Sequence, residues 1–325
     1  MTGRAPAALL LVGAGQMGSL HARVISTHPD ARLVGVVDPD QAVGQALAAR
    51  WNTTWRGDVG SLAGVDGVVI AAPTPAHDAV ARHVLDAGLP LLVEKPLTAS
   101  IDQTRQLLEV SRQRDIPLMC GLLERFNPAV VTALPLVKAP IALRSVRHSP
   151  YAPRIVTGVG WDLAIHDVDL ALRFAGGRAV DASGVVGAFS PHSAVGAEDV
   201  VEATIQFDTG AIASVSASRL AQRKVRQLVV YELERSIEID LLLRDVIIYQ
   251  HVAGEAIGPD GRGYRQQAVI EIPELVTSRE PLAAQLDRFL ELLSGQGDAA
   301  AERASIAPPH EVVGKLLSAA TQGER

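Results

Sequence analysis

The chain has 325 residues, 48% of them hydrophobic and 20% charged. At roughly 100–200 residues per domain, that suffices for two domains with full cores and excludes a disordered, collagenous or purely coiled-coil chain. Thirty basic against 36 acidic side chains leave a net charge of −6, which weighs against nucleic acid or an anionic membrane as the main partner.

Cys120 is the only cysteine, so an intrachain disulfide and a Cys-rich zinc site are both excluded. It reads as a small buried hydrophobe in a protein of a reducing compartment, with a cytoplasmic location expected. Arg4 and the apolar stretch to Val12 imitate a signal peptide, but they lead straight into a glycine-rich loop and are read as a strand. No apolar run approaches the ~18 residues that span a bilayer.

Ala8–Val12 is a short, continuous apolar run, as in a strand buried on both faces. Gly13-Ala14-Gly15-Gln16-Met17-Gly18 follows, then a helical pattern from Met17 to Ile25 and a second strand, Arg32–Val37, ending at Asp38. A lone GxGxxG is a weak signal. Set between a strand and a helix, with an acid 20 positions after the last glycine, it is the dinucleotide-binding fingerprint. Gly13 permits the tight turn, Gly15 lets the backbone approach a pyrophosphate, and Gly18 lets helix and strand pack closely. Gln16 and Met17 begin the helix whose free N–H groups face the phosphates. Asp38 suits the two ribose hydroxyls and repels a 2′-phosphate, so NAD is expected over NADP.

Strand and helix then alternate: Asp40–Arg50 helical, Gly67–Ala72 a strand, Pro75–Ala87 a helix, Leu91–Val93 a strand, Ser100–Arg114 a helix and Leu118–Leu122 a strand. This predicts a doubly wound parallel sheet of Rossmann type over 1–121. Ligands bind beyond the carboxyl ends of such strands, so Ala72-Pro73-Thr74, Glu94-Lys95-Pro96 and Glu124-Arg125-Phe126-Asn127 lie over the cofactor. Turn chemistry accounts for the prolines and for Asn127 as a helix cap, but not for Lys95.

From residue 122 onward the rhythm changes. Helices are read at Pro128 to Lys138 and Trp161 to Phe174, the latter closed by Gly176-Gly177. Strands are read at Ile141–Arg147, Val180–Phe189, Val200–Phe207, Ala211–Ser218, Val225–Leu233, Ile237–Leu243, Val246–Gln250 and Gln267–Ile272. Gly254–Arg265 reads as a surface loop, and Pro281–Leu293 and Pro309–Ala320 as closing helices. The expectation is an α+β domain over 122–325 with a mostly antiparallel open sheet, one face carrying helices and the other free for a subunit partner; the last helix is allowed to pack back on the first domain.

The second chemical cluster is Trp161-Asp162-Leu163-Ala164-Ile165-His166-Asp167-Val168-Asp169. Asp162 and His166, four apart, share one helical face, and Asp169 lies near the same stripe. A carboxylate beside an imidazole raises the ring's basicity. Three other readings stay open: an acidic first turn favouring the helix dipole, a satisfied core histidine, and an Asp-x₃-His-x₂-Asp metal triad that lacks a second histidine. No resident metal is expected.

Together, Gly13–Gly18, Asp38, the Pro73-Thr74-Pro75-Ala76-His77 turn, Glu94-Lys95-Pro96 and Asp162-x₃-His166 resemble the glucose–fructose oxidoreductase / inositol dehydrogenase / MocA-like family over nearly the whole chain. Glu124-Arg125-Phe126-Asn127-Pro128, Pro150-Tyr151-Ala152-Pro153-Arg154 and the Trp161–Asp169 run resemble its UDP-N-acetylglucosamine 3-dehydrogenase-like members. The resemblance implies an NAD-dependent dehydrogenase acting on a secondary hydroxyl of a sugar, nucleotide sugar or cyclitol, and a homodimer or homotetramer formed through the C-terminal sheet. It implies Lys95, Asp162 and His166 around the reacting hydroxyl: His166 as general base, Asp162 orienting it, Lys95 polarising the oxygen. Ala72, Pro73, Thr74, His77, Glu94 and Lys95 join the glycine loop and Asp38 as candidate cofactor contacts. Arg125, Tyr151 and Arg154 are candidate substrate contacts.

Three rivals remain at this stage. One is a non-catalytic dinucleotide-binding regulator of the same fold. Another is an NAD-dependent glycosidase. The third is nucleic-acid binding through Arg219, Arg223, Lys224 and Arg226, which read more simply as a solvated face.

Overall fold

The computed structural model describes residues 5–153, 155–258 and 261–322. The chain forms two compact units: Met1–Leu123 with Arg279–Gly314, and Glu124–Ser278 with Lys315–Arg325. The segment Arg279–Gly314 thus folds with the first unit.

The first unit begins β1 (Ala7–Val12), α1 (Gln16–Thr27), β2 (Ala31–Val37), α2 (Gln41–Arg50), β3 (Trp55–Arg56), β4 (Gly67–Ile70), α3 (Thr74–Asp86), β5 (Leu91–Glu94), α4 (Ile101–Gln113) and β6 (Leu118–Gly121). The strands form a parallel sheet in the order β3-β2-β1-β4-β5-β6. Every residue of β4, β5 and β6 is buried, which is why these strands read as unbroken apolar runs. Leu9, Leu10 and Leu11 are at most 1% exposed, each contributing about 1.5–3 kcal/mol by burial. Asp40 caps α2 by accepting from the amides of Ala42 and Val43, and Ser100 caps α4 through Gln103. The chain leaves β1 for β2 on one side and later returns to β4 on the other. The β1/β4 boundary is therefore the topological switch point, where such sheets open a crevice.

The second unit holds α5 (Pro128–Ala133), β7 (Ala142–His148), α6 (Ile165–Ala175), β8 (Ala179–Gly187), β9 (Val200–Phe207), β10 (Ile212–Ser218), β11 (Val225–Tyr231), β12 (Arg235–Asp240), β13 (Asp245–Gly258) and β14 (Gly261–Glu271). The sheet order is β14-β13-β12-β11-β7-β10-β9-β8, with β7–β10 parallel and the other pairs antiparallel. Burial alternates along β9 and β10, and α6 packs on β7 and β10. Gly176, in the left-handed region at φ 67°, ends α6.

The Gly254–Arg265 loop expectation is corrected. β13 and β14 continue through it as one antiparallel ribbon down to the Gly258–Gly261 pair. Residues 259 and 260 of the expected loop lie outside the described residues; glycine-rich composition does not separate a ribbon from a longer loop. A single turn with wider, π-type spacing, Gly160–Ala164, precedes α6.

The chain closes with α7 (Pro281–Leu293), α8 (Ala299–Ala304) and α9 (Ala307–Gln322). Among the described residues, no helix is long and apolar enough to cross a membrane.

Candidate active site

The glycine loop lies at the switch point, and each glycine is needed for a different reason. Gly13 has φ +101°, and a Cβ there would stand 2.5 Å from the carbonyl of Ala71, just past β4. A Cβ on Gly18 would stand 2.0 Å from the Gly13 carbonyl oxygen. At Gly15 a Cβ would meet nothing within 4 Å, so that backbone borders open space. Gly15 is the N-cap of α1 and offers no side-chain cap, so the amides of the first turn, including Gln16 and Met17, are placed to receive an anion. Asp38, at the tip of β2, accepts from the amide of Ala14 at 2.7 Å and from that of Asp40 at 2.9 Å. An open backbone, an uncapped helix start and an anchored carboxylate fit a dinucleotide with a free 2′-hydroxyl.

The other crevice loops are tightly held. Pro73 is the N-cap of α3 and Thr74 its first residue. His77 is 1% exposed, with Nδ1 2.9 Å from the Pro96 carbonyl and Nε2 2.9 Å from that of Ala72. Each ring nitrogen thus faces a loop carbonyl, of which a neutral imidazole donates to one, and His77 bears on the crevice through these loops rather than by its own ring. Glu94 is 7% exposed and meets His21 Nε2 at 2.8 Å through Oε1. The Lys95–Pro96 peptide bond is cis. From Leu91 to Thr98 every residue is buried except Lys95, which is half-buried.

In the second unit, the turn at 160–164 and α6 separate two kinds of carboxylate. Asp162 and His166 are half-buried, whereas Asp167 and Asp169 are fully buried. Asp169 lies in a fork of Arg125, at 2.8 Å from Nε and 2.6 Å from Nη2. Arg125, read as a substrate contact, is therefore a buried partner of α6, and the metal triad loses its third member to a guanidinium. Asp167 accepts from Ser145 Oγ and Arg147 Nε, and Arg147 reaches Glu124 at 2.8 Å. Burial alone would lower the Arg147 guanidinium; Asp167 and Glu124 outweigh it and hold it above its ordinary value. Burial pushes the Asp167 carboxyl up. Burial opposes ionisation of Glu124 too, but Arg147 and Arg226 hold it below the usual carboxylate range.

Tyr151 donates its hydroxyl to the His192 carbonyl at 2.5 Å, which fixes it to the loop before β9. Arg154 lies outside the described residues. The basic run reads as a solvated face only in part. Arg223 and Lys224 are exposed, but Arg219 is 4% exposed and donates to the carbonyls of Ile155 and Thr157, and Arg226 is half-buried, 3.4 Å from Glu124.

Two supports of α6 escaped the sequence reading. Glu198 accepts from the amide of Gly160 at 2.6 Å and so fastens the start of the helical stretch carrying Asp162 and His166. Arg147 was the more legible: it shares the inward register of β7 with Leu143 and Ser145, and a charge on a buried register needs a buried partner.

Residues 8–122 match the model of the GFO/IDH/MocA oxidoreductase family with its NAD-binding Rossmann fold, and residues 144–238 match that family's C-terminal domain. The UDP-N-acetylglucosamine 3-dehydrogenase of Acidithiobacillus ferrooxidans is 30% identical over 287 residues, covering 87% of this chain and 88% of the relative. The chain belongs to the GFO/IDH/MocA family. NAD is its cofactor. The solved structure of that same dehydrogenase superposes with a TM-score of 0.80 at 28% identity, covering 96% of this chain and 97% of the other. Inositol 2-dehydrogenase of Rhizobium meliloti is 28% identical over 225 residues, 65% of this chain and 68% of the relative. A GFO/IDH/MocA chain with these relatives has the two-sheet architecture found here, and its resemblance to the UDP-N-acetylglucosamine 3-dehydrogenase-like members is borne out.

Proposed function

We propose that the protein is an NAD-dependent dehydrogenase that interconverts a secondary hydroxyl and a ketone on a sugar, nucleotide sugar or cyclitol. The relatives named as dehydrogenases of UDP-N-acetylglucosamine and inositol support the substrate class. The observation that carries the site assignment is selective exposure. Lys95 is the only residue of a buried turn that is not itself buried, and Asp162 and His166 are the half-buried polar pair on a helical stretch whose other carboxylates are consumed by arginines.

NAD, when bound, supplies the hydride acceptor. Gly13, Gly15, Gln16, Met17 and Gly18 cradle its pyrophosphate and Asp38 its adenosine ribose. Ala72, Pro73 and Thr74 line its path, with Glu94 shaping the nicotinamide side. His166 takes the hydroxyl proton at an imidazole nitrogen, and Asp162 orients the ring and stabilises the imidazolium. Lys95 donates to the reacting oxygen and stabilises the developing alkoxide; a compact ammonium with three donors suits an oxygen that changes hybridisation. In the reverse direction the same groups deliver the proton.

Oligomerisation through the open sheet face is part of the same proposal. Tyr231, Ala142 and Ile212 stand side by side in register, Tyr231 40% and Ile212 48% exposed. Light scattering should give a dimer or tetramer.

The test is an NAD-reduction screen across cyclitols, free sugars and UDP- or dTDP-sugars, begun with UDP-N-acetylglucosamine. NADH formation confined to one class identifies the substrate. A free sugar released without net NADH would make the enzyme a glycosidase, and inertness towards every class would favour a regulator. Lys95→Ala and His166→Ala should keep NADH binding and lose turnover.

A further inference from the structure

Three buried histidines from three helices converge on the turn that carries Lys95. His21 (α1) is 4% exposed, His77 (α3) 1% and His310 (α9) 0%. His21 Nε2 meets Glu94 Oε1 at 2.8 Å, and the other oxygen of Glu94 accepts the amide of Lys95 at 3.2 Å. His77 reaches the carbonyl of Pro96. His310 Nε2 accepts the amide of Leu97 at 2.9 Å, which requires its Nδ1 to carry the proton that it donates to the Ile306 carbonyl at 2.7 Å. Four consecutive residues, 94 to 97, are thus tied by their polar groups, while the Lys95 side chain is the part left half-buried.

We propose that His21, His77 and His310 form a brace that sets the direction of the Lys95 side chain, and that they are positioning residues for hydride transfer. A core needs no imidazole at these places, because an apolar group of the same shape packs as well when both hydrogen-bonding partners are replaced. For His77 and His310 the partners in this turn are backbone groups and cannot be replaced, whereas His21 acts through the Glu94 carboxylate, whose other oxygen accepts the Lys95 amide. The other ring nitrogen of His77 stands 2.9 Å from the Ala72 carbonyl, so the ring lies between the loops after β4 and β5. A catalytic group must be held to within about half an ångström of its working position, and side chains on unsupported turns do not meet that tolerance. The brace rests on the reading of Lys95 as the oxygen-polarising group only for its effect on rate.

The experiment uses the chain's small number of lysines. Reductive methylation with ¹³C-formaldehyde labels Lys95, Lys138, Lys224, Lys315 and the N-terminal amine, and the spectrum of Lys95→Arg identifies the Lys95 resonance. His77→Leu and His310→Leu should shift or broaden that resonance and leave the other three lysines in place. His310→Gln, whose amide oxygen can still accept from Leu97, should restore it. With the substrate found by screening, kcat should fall at least tenfold in the leucine variants and the KM for NAD should stay within twofold, measured below each variant's Tm. If His310→Leu does not fold, His77→Leu alone carries the reading, because it removes the ring nitrogen that faces the Pro96 carbonyl. A Lys95 resonance unmoved in every folded variant overturns the brace. If the resonance moves while Lys95→Ala turns over at the wild-type rate, the brace stands and the assignment of Lys95 to the reacting oxygen fails.

Discussion

Gly18 packs against Gly13 so closely that a methyl group on the first would stand 2.0 Å from the carbonyl oxygen of the second, whereas a methyl group on Gly15 would meet nothing within 4 Å. The two glycines of one motif therefore answer to different demands, one to the fold and one to the ligand. Gly18→Ala should lower Tm and weaken NADH binding together, since helix α1 must move to admit the methyl group. Gly15 has φ −68° and ψ −162°, which alanine tolerates. Gly15→Ala should keep Tm within about 2 °C, because surface changes of this kind stay within ~0.5 kcal/mol, yet weaken NADH binding at least tenfold. Thermal melts and NADH fluorescence titrations separate the two effects. Wild-type affinity in Gly15→Ala would move the phosphate cradle elsewhere.

The difference between these glycines marks how far the sequence alone reaches. The parallel sheet was legible because β4, β5 and β6 are buried on both faces and so read as pure apolar runs. β3, two residues long, and α8, six residues long, are too short to show a period. Around α6 the sequence offered Asp162 and His166 on one helical face with Asp169 near the same stripe, and Asp167 beside them. What sorts them is the position of Arg125 and Arg147, 44 and 20 residues away along the chain; no local pattern encodes such pairings. The same holds for His21 and His310, whose helices read as ordinary amphipathic packing and whose partner is one turn at the end of β5. His77 was legible as part of the crevice, but its place between two loop carbonyls was not.

Asp38 carries the preference for NAD. Its carboxylate is fixed at the tip of β2 by the amides of Ala14 and Asp40. Asp38→Asn keeps an oxygen for the Ala14 amide and removes the charge that repels a 2′-phosphate. The ratio of kcat/KM for NAD to that for NADP should fall at least tenfold, a loss of about 1.4 kcal/mol in discrimination, mostly through KM. Initial-rate kinetics with both cofactors measure it, and an unchanged ratio would place the 2′-hydroxyl away from Asp38.

Lys95 is one of four lysines among 30 basic residues, in a turn where every neighbour from Leu91 to Thr98 is buried. Lys95→Ala should lower kcat by about 10²–10³-fold, the usual cost of removing one donor to a developing oxyanion. Lys95→Arg keeps the charge but replaces a compact ammonium by a longer planar fork. It should recover no more than about tenfold of that loss, with NADH affinity unchanged in both variants. Recovery of the wild-type rate by arginine would reduce the role of Lys95 to its charge.

Glu124 shapes the acid stability of the second unit. Its Oε1 accepts from Arg147 at 2.8 Å and from Arg226 at 3.4 Å, and its Oε2 from Asn127 at 3.1 Å. Although burial opposes its ionisation, the two arginines hold its carboxyl below the ordinary range. A carboxylate lowered by folding contributes stability in full above the unfolded value of about 4.3 and loses it as the pH falls through the lower folded value. Glu124→Gln preserves shape and two of the contacts but leaves Arg147 with Asp167 as its one carboxylate partner in this trio. At pH 7 it should destabilise the protein by about 1–3 kcal/mol. Below about pH 4 the wild type loses its advantage, so the gap in denaturant midpoint between the two proteins should close. Asp167 titrates with the opposite sign, its carboxyl pushed up by burial and in part by the Glu124 charge, so the difference between the two proteins reports the Glu124–Asp167 pair around Arg147. Urea melts of both proteins from pH 3 to pH 8 give that difference directly. A gap that stays constant across the range would mean that Glu124 contributes shape and hydrogen bonds but no net charge–charge stabilisation.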